Sequence, residues 1–308
     1  MEKVGEFFVG RPSGAVLMAG AGRVYVVEPD GSARWIQEGC GHAHKCALAP
    51  DGSLYFANGE TFRVAHPGRG ETPELIRTNP EDPINTGFGF AIAADGSVTY
   101  FDNQYRRIVD GDVNIATDSS RPDRSAVTNR HHYHRLGRKT EAGTYLITCS
   151  GAGMVREYAA DGRLLWEHQS PGFIFDTVRL ANGNTVISGL SHVVEYTPDH
   201  EIAWQLTPDD LTAIRAANLS GLQALPNGNL VVGTFENGAS KDGPKASAFE
   251  ITRDKEIVWA FAAEVALVAL CRISRICMSE TQEFDNIAAV DLLSACRNIN
   301  GRREHTGT

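Results

Sequence analysis

Two short segments hold five of the ten histidines of this 308-residue chain: Cys40-Gly-His42-Ala-His44-Lys45-Cys46 and His131-His132-Tyr133-His134. Each contains a His-x-His pair. On an extended strand residues i and i+2 point to one face, about 6–7 Å apart, and imidazoles at that spacing can share one metal ion through Nε2 or Nδ1. The pairs stand at nearly the same distance from a glycine turn, His44 eight residues before Gly52 and His134 nine before Gly143. The expected site is built from His42, His44, His132 and His134. It holds one divalent metal, or it uses His44 and His134 as general base or nucleophile near neutral pH. Arg130 and Arg135 flank the second segment and would add charge-assisted contacts to an anion. The expected ligand is a small anionic or polyhydroxylated molecule: an acidic sugar or glycan fragment, a sulfate ester or a phosphate ester. A metal-assisted lyase or hydrolase is the catalytic form of this reading. The residues leave open whether the chain is an enzyme.

What must position these histidines is a repeat. A turn dipeptide followed by a β-rich run occurs six times: Ser13-Gly14, Asp51-Gly52, Asp95-Gly96, Ala142-Gly143, Asn182-Gly183 and Asn227-Gly228. The spacing matches four-stranded propeller blades of roughly 40–50 residues, and Asp-Gly or Asn-Gly between apolar runs is a strong hairpin signal because the tight turn needs φ > 0. A second element keeps the same register. Asp30, Asp161, Asp199 and Asp254 each precede a tryptophan by five residues, and Trp35, Trp166, Trp204 and Trp259 are all the tryptophans of the chain. One aromatic at one repeat position is a packing device between blades.

The spacing therefore predicts an all-β, six-bladed β-propeller over residues 1–262, with blades at roughly 1–38, 39–80, 81–120, 121–169, 170–209 and 210–262. A seven-bladed ring is the alternative. Residues 263–308 lack both elements, and are expected to give a strand that closes the ring, in Glu264–Arg275, and then a short helical tail. Thr207-Pro208-Asp209-Asp210 reads as a capped helix start. Equivalent positions of a propeller lie at one height around the channel, so the two His-x-His pairs are expected to face each other at its mouth. The same register adds Asp176, seven residues before Gly183, and Gln223, five before Gly228. His192, between the second and third strands of blade five, and Arg156, at a similar place in blade four, complete the set.

Composition narrows the partners. A net charge of −9 opposes nucleic acid and anionic membranes, although Arg121–Lys139 is a basic island. No apolar run is long enough to span a bilayer, and the first residues carry no leader pattern. The chain is expected to be cytoplasmic as written, or extracytoplasmic if it is part of a longer precursor. Six scattered cysteines without C-x-x-C read as buried thiols. In a second, non-catalytic reading the propeller is a rigid platform for a protein partner and the histidines merely fill its channel.

The stretches VEPDGSARW, EYAADGRLLWEH and EITRDKEIVWAF resemble the quinoprotein-type (PQQ-like) propeller repeat, and LANGNTVISG with VVEYTPDHEIAWQL is similar to the propellers of bacterial arylsulfotransferase-like proteins. The resemblance covers about residues 10–262 and implies the architecture. Quinoprotein dehydrogenases have eight blades and, in many members, an adjacent Cys-Cys pair. This chain has neither, so no quinone is expected. Arylsulfotransferase-like proteins imply a channel histidine, without fixing which one.

Overall fold

The computed structural model describes residues 2–3, 5–20, 22–41, 45–57, 62–65, 74–75, 89–103, 106–117, 134–216, 218–234, 245–263 and 272–275. They form six antiparallel sheets. Their innermost strands are Arg272–Arg275, Lys45–Leu48, Gly89–Ile92, His134–Lys139, Ile174–Arg179 and Leu219–Ala224 for blades one to six. Each contacts the next, and the last returns to the first. The protein is a six-bladed β-propeller.

The glycine turns join first to second strand in blades two to six. Gly52, Gly96, Gly143, Gly183 and Gly228 have φ between 75° and 87°, and each donates its N–H to the carbonyl three residues back, as Gly52 does to Ala49 at 2.9 Å. A side chain is strained at such φ, so the residue is glycine. Gly14 differs. It is not left-handed, because the strand before it is not the inner strand of blade one. That strand comes instead from the far end of the chain, Arg272–Arg275, which pairs with Val16–Ala19. The N-terminal segment is displaced to the rim. Glu2–Lys3 extends blade one beyond Ser32–Gly41, while Gly5–Val9 adds a fifth strand to blade six beyond Ile257–Ala263. Both chain ends therefore work at the junction of the first and last blades.

The tryptophans lie where the repeat places them, each five residues after an Asp turn and directly across from the third strand: Val26–Trp35, Glu157–Trp166, Glu195–Trp204 and Glu250–Trp259. Trp259 is buried and Trp166 and Trp204 are half-buried. Trp166 donates its indole N–H to Pro198 O (3.1 Å) and Trp204 to Arg253 O (2.7 Å), so each pins its blade to the outer turn of the next. Arg179 lies over Trp166 and pairs with Glu157; Arg253 lies over Trp204 and pairs with Glu195. Apolar layers fill the rest of each seam, as Val186, Leu206, Leu222 and Phe249 do in a cluster drawn from blades five and six. Each such side chain, fully buried, contributes about 1.5–3 kcal/mol. Cys40, Cys46 and Cys149 are buried, and burial pushes the Cys40 thiol up to about 12. The capped turn at Thr207 is a single 3₁₀ turn, Pro208–Asp210, closed by the Asp210 carboxylate, which accepts from the Thr207 N–H and hydroxyl at 2.8 and 3.0 Å. The tail after Arg275 lies outside the described residues.

Candidate functional site

Alternation along the innermost strands decides what reaches the channel. The residues six before each glycine turn, Cys46, Phe90, Gly137, Thr177 and Leu222, are buried. The residues five before it, Ala47, Ala91, Arg138, Val178 and Gln223, are half-buried, as is Lys45, seven before Gly52. In an antiparallel pair, alternate residues turn their peptide groups away from the partner strand, and on an innermost strand that direction is the channel. Side chains from neighbouring blades meet those groups. Lys45 of blade two passes blade three, where it stands 5.3 Å from the Phe90 ring, and donates to Gly137 O of blade four at 3.0 Å. Arg138 of blade four donates to Thr177 O of blade five (2.9 Å) and Leu222 O of blade six (2.7 Å), and pairs with Asp176 at 2.8 Å. The Asp176 carboxylate also accepts the Leu222 and Thr177 N–H groups. Two cationic arms thus cross the channel from blade two to four and from four to six.

At that mouth, where the inner strands begin, blades four, five and six share one irregularity. Their first and second strands slip by one residue at Arg135, Phe175 and Ser220. Such a bulge re-aims the side chain of the extra residue. Arg135 turns onto Phe173 and Phe175, its guanidinium carbon 5.5 and 5.3 Å from the ring centres.

The expected site residues divide accordingly. His42, His44, Arg130 and His132 lie outside the described residues. His134 and Arg135 are buried in the mouth of blade four. His134 Nε2 meets the Thr117 hydroxyl at 2.6 Å, and its Nδ1 is buried without a hydrogen-bond partner. Burial, then the charge of Arg156, lowers the His134 pKa to about 3, so this imidazole is neutral. Asp176 and Gln223 sit on the inner strands as their register implies. Asp176 is held by Arg138, and Gln223 is half-buried. His192 occupies the connection between the second and third strands of blade five, and burial lowers its pKa. Arg156 lies inside the third strand of blade four, Met154–Tyr158, paired with Glu167 at 2.5 Å. Among the described residues no three His, Cys, Asp or Glu side chains are gathered to hold a metal ion. Lys45 and Arg138 were not singled out from the sequence. The register that selects Asp176 and Gln223, seven and five residues before a glycine turn, selects them too.

No protein-family model matches the chain, and no curated protein does. Solved structures match across most of it. A protein of unknown function from Bacteroides caccae is 17% identical over 85% of this chain and 100% of its own, with a TM-score of 0.64. A streptogramin B lyase is 13% identical over 84% of each chain, TM-score 0.50. A catalytically inactive virginiamycin B lyase variant from Staphylococcus aureus, with quinupristin, is 12% identical over 83% of this chain and 88% of its own, TM-score 0.51. At such identities the likeness is one of fold, the β-propeller.

Proposed function

We propose that this propeller binds a small anionic or polyhydroxylated molecule in its channel, entering by the mouth where the inner strands begin. The observation that carries this is the pair of half-buried cationic arms, Lys45 and Arg138, which reach from blade two to blade four and from blade four to blade six. The Arg138 side chain is 31% exposed although its ion-pair partner is buried, so the guanidinium serves both the Asp176 carboxylate and the lumen. Gln223 supplies an amide at the same level. At the mouth the histidine segments supply the chemistry: His44 handles the proton, and His42, His132 and the neutral His134 serve with it as ligands for one divalent metal. The neutral, half-satisfied ring of His134 fits a ligand imidazole, and Arg130 and Arg135 add positive charge. The similarity of the outer turns to arylsulfotransferase-like propellers favours a sulfate ester among the anions, and the lyases that share the fold favour an elimination if the chain is catalytic.

Titration calorimetry with sulfate, a phosphate monoester and glucuronate, with and without added Zn²⁺, tests this reading. At least one anion binds saturably and more weakly as salt rises. Lys45→Met, which spares the Arg138–Asp176 pair, weakens binding about tenfold or more, the worth of one charge-assisted hydrogen bond. If no anion binds, or Lys45→Met binds like the parent, the channel is only filled and the interaction-platform reading takes over.

A further inference from the structure

Away from the channel, at the outer seam between blades four and five, two histidines face each other. His168 is the next-to-last residue of the outer strand of blade four, Leu164–Gln169, and His200 sits in the outer turn of blade five. Their Nδ1 atoms are 3.0 Å apart. The rings are within 13° of parallel, with centres 5.2 Å apart. With the nitrogens 3.0 Å apart, each nitrogen therefore lies almost on the line joining the ring centres. Two imidazoles chelating one metal would instead aim their lone pairs at a third point. This is the geometry of a shared proton. The Trp166 indole stacks on both rings, within 9° of parallel, at 5.6 and 5.3 Å.

The backbone is arranged for this contact. His200 has φ 68°, at the turn position where blades one and four have Gly31 and Gly162. A non-glycine residue is disfavoured there. Blade six also breaks the pattern, with Lys255, which pairs with Asp210 at 2.8 Å. In both blades the side chain that replaces glycine makes a contact glycine could not.

We infer that His168 and His200 form a proton-operated clasp across this seam, closed while one proton lies between their Nδ1 atoms and released when both rings are protonated. One Nδ1 must donate and the other accept, so two imidazolium rings would oppose two N–H groups. The buried side of the pair makes it sensitive. His168 Nε2 is buried without a partner, so the closed neutral pair keeps its proton on His168 Nδ1, leaving Nε2 a bare acceptor. Adding a proton there buries an N–H with nothing to receive it. The charged and titratable groups around the pair do not offset that. From blade four's third strand comes Glu157, already paired with Arg179 of blade five's inner strand, which lies over Trp166. From blade five's third strand come Tyr196, 4.0 Å from His168, and Glu195, paired with Arg253. The turn itself carries Asp199 and Glu201, both exposed. Burial first, then the facing His200, lowers the His168 pKa. Between the lowered and ordinary values the unfolded chain binds more protons than the folded one, so the clasp stabilises the seam above the ordinary histidine range and its contribution is lost as pH falls.

The test has two arms on the full chain. Imidazole ¹⁵N NMR of the parent protein reads the proton directly: a coupling or shared shift between the two Nδ1 atoms, and a His168 titration displaced to acid of a free histidine. Melting temperatures of parent, His168→Phe and His200→Asn, compared between about pH 7 and about pH 5, read its consequence. Phenylalanine keeps the stacking on Trp166 without a titrating group. The expected result is that His168→Phe removes at least half of the parent's fall in Tm over this range. Equal falls in parent and variants, or a His168 titration at the ordinary histidine pKa with no coupling between the two Nδ1 atoms, overturn the clasp.

Discussion

Trp259 donates its indole N–H to Glu250, the residue directly across from it on the neighbouring strand, at 2.6 Å. The carboxylate is shared with Asn229, the residue after the glycine turn, at 2.8 Å. The arrangement repeats with substitutions. Glu195 accepts from Asn184 and Glu157 from Thr144, each the residue after its own glycine turn, while arginines from blade six and blade five complete the contacts above Trp204 and Trp166. In blade six a buried carboxylate thus ties the first turn directly to the tryptophan, and in blades five and four the tie runs through the arginine over the ring.

The three contacts differ in burial, and the consequences differ with them. Trp259 is 1% exposed and packs edge-on against Phe7 of the N-terminal strand at 5.5 Å. Trp259→Ala is expected to cost about 3–5 kcal/mol, the range for a fully buried aromatic, plus the penalty of an unmet Glu250. Trp166→Ala and Trp204→Ala should each cost less, since part of the ring already meets solvent. Urea melts of the three variants check the order; equal losses would contradict it.

Much of this was legible in the sequence, and the unread part has physical reasons. Gly52, Gly96, Gly143, Gly183 and Gly228 announce themselves because a left-handed turn excludes most other residues. The tryptophans announce themselves because nothing else fills that volume. Glu157, Glu195 and Glu250 also keep a fixed distance, nine residues before their tryptophans, yet a glutamate reads as surface until its partners are known. The closing strand is expected in Glu264–Arg275 and Arg272–Arg275 supplies it; that it, and not the residues before Gly14, is the inner strand of blade one lies beyond any local pattern, because Val16–Ala19 is some 250 residues away in the chain. That His134 and Arg135 are buried was not readable, because Arg135 sits in a bulge that periodicity does not encode. Arg138 was hidden inside a basic run that also reads as a solvated loop.

Ring closure gives the second prediction. Arg272–Arg275 forms the innermost strand of blade one, and Gly5–Val9 the outermost of blade six, with the Phe7 ring 4.9 Å from that of Phe261. A chain ending at Cys277 keeps both strands and is expected to melt cooperatively near the full-length temperature. A chain ending at Ala263 loses the innermost strand and exposes the edge of Val16–Gly20, an invitation to aggregate. Calorimetry and light scattering separate the two. If the shorter chain melts like the longer, blade one does not need its C-terminal strand.

Blades two and three have no tryptophan, so the seam between blades three and four needs another tie, and Asp110 provides it. Its carboxylate lies across that seam and accepts from Tyr145 Oη (2.7 Å) and Lys139 Nζ (2.6 Å) of blade four, and from Thr99 of its own blade (3.0 Å). Burial pushes the Asp110 pKa up, but the hydrogen bonds from Lys139, Tyr145 and Thr99 outweigh it and hold the carboxyl below its usual 3.8. A depressed carboxylate stabilises the fold above the unfolded pKa and loses that contribution as pH falls through the folded one. Asp110→Asn should therefore lower stability at neutral pH by about 1–3 kcal/mol, the worth of hydrogen bonds to a charged group, and the deficit relative to the parent should shrink as pH drops below about 4. Tyr145→Phe removes one of the three donors and should cost less, with a weaker pH dependence. Denaturant melts of the parent and both variants across the acid range measure this directly. A deficit in Asp110→Asn that stays constant to the lowest pH at which the parent remains folded would show that the seam is held by packing alone and that Asp110 is no more than a polar residue at its edge.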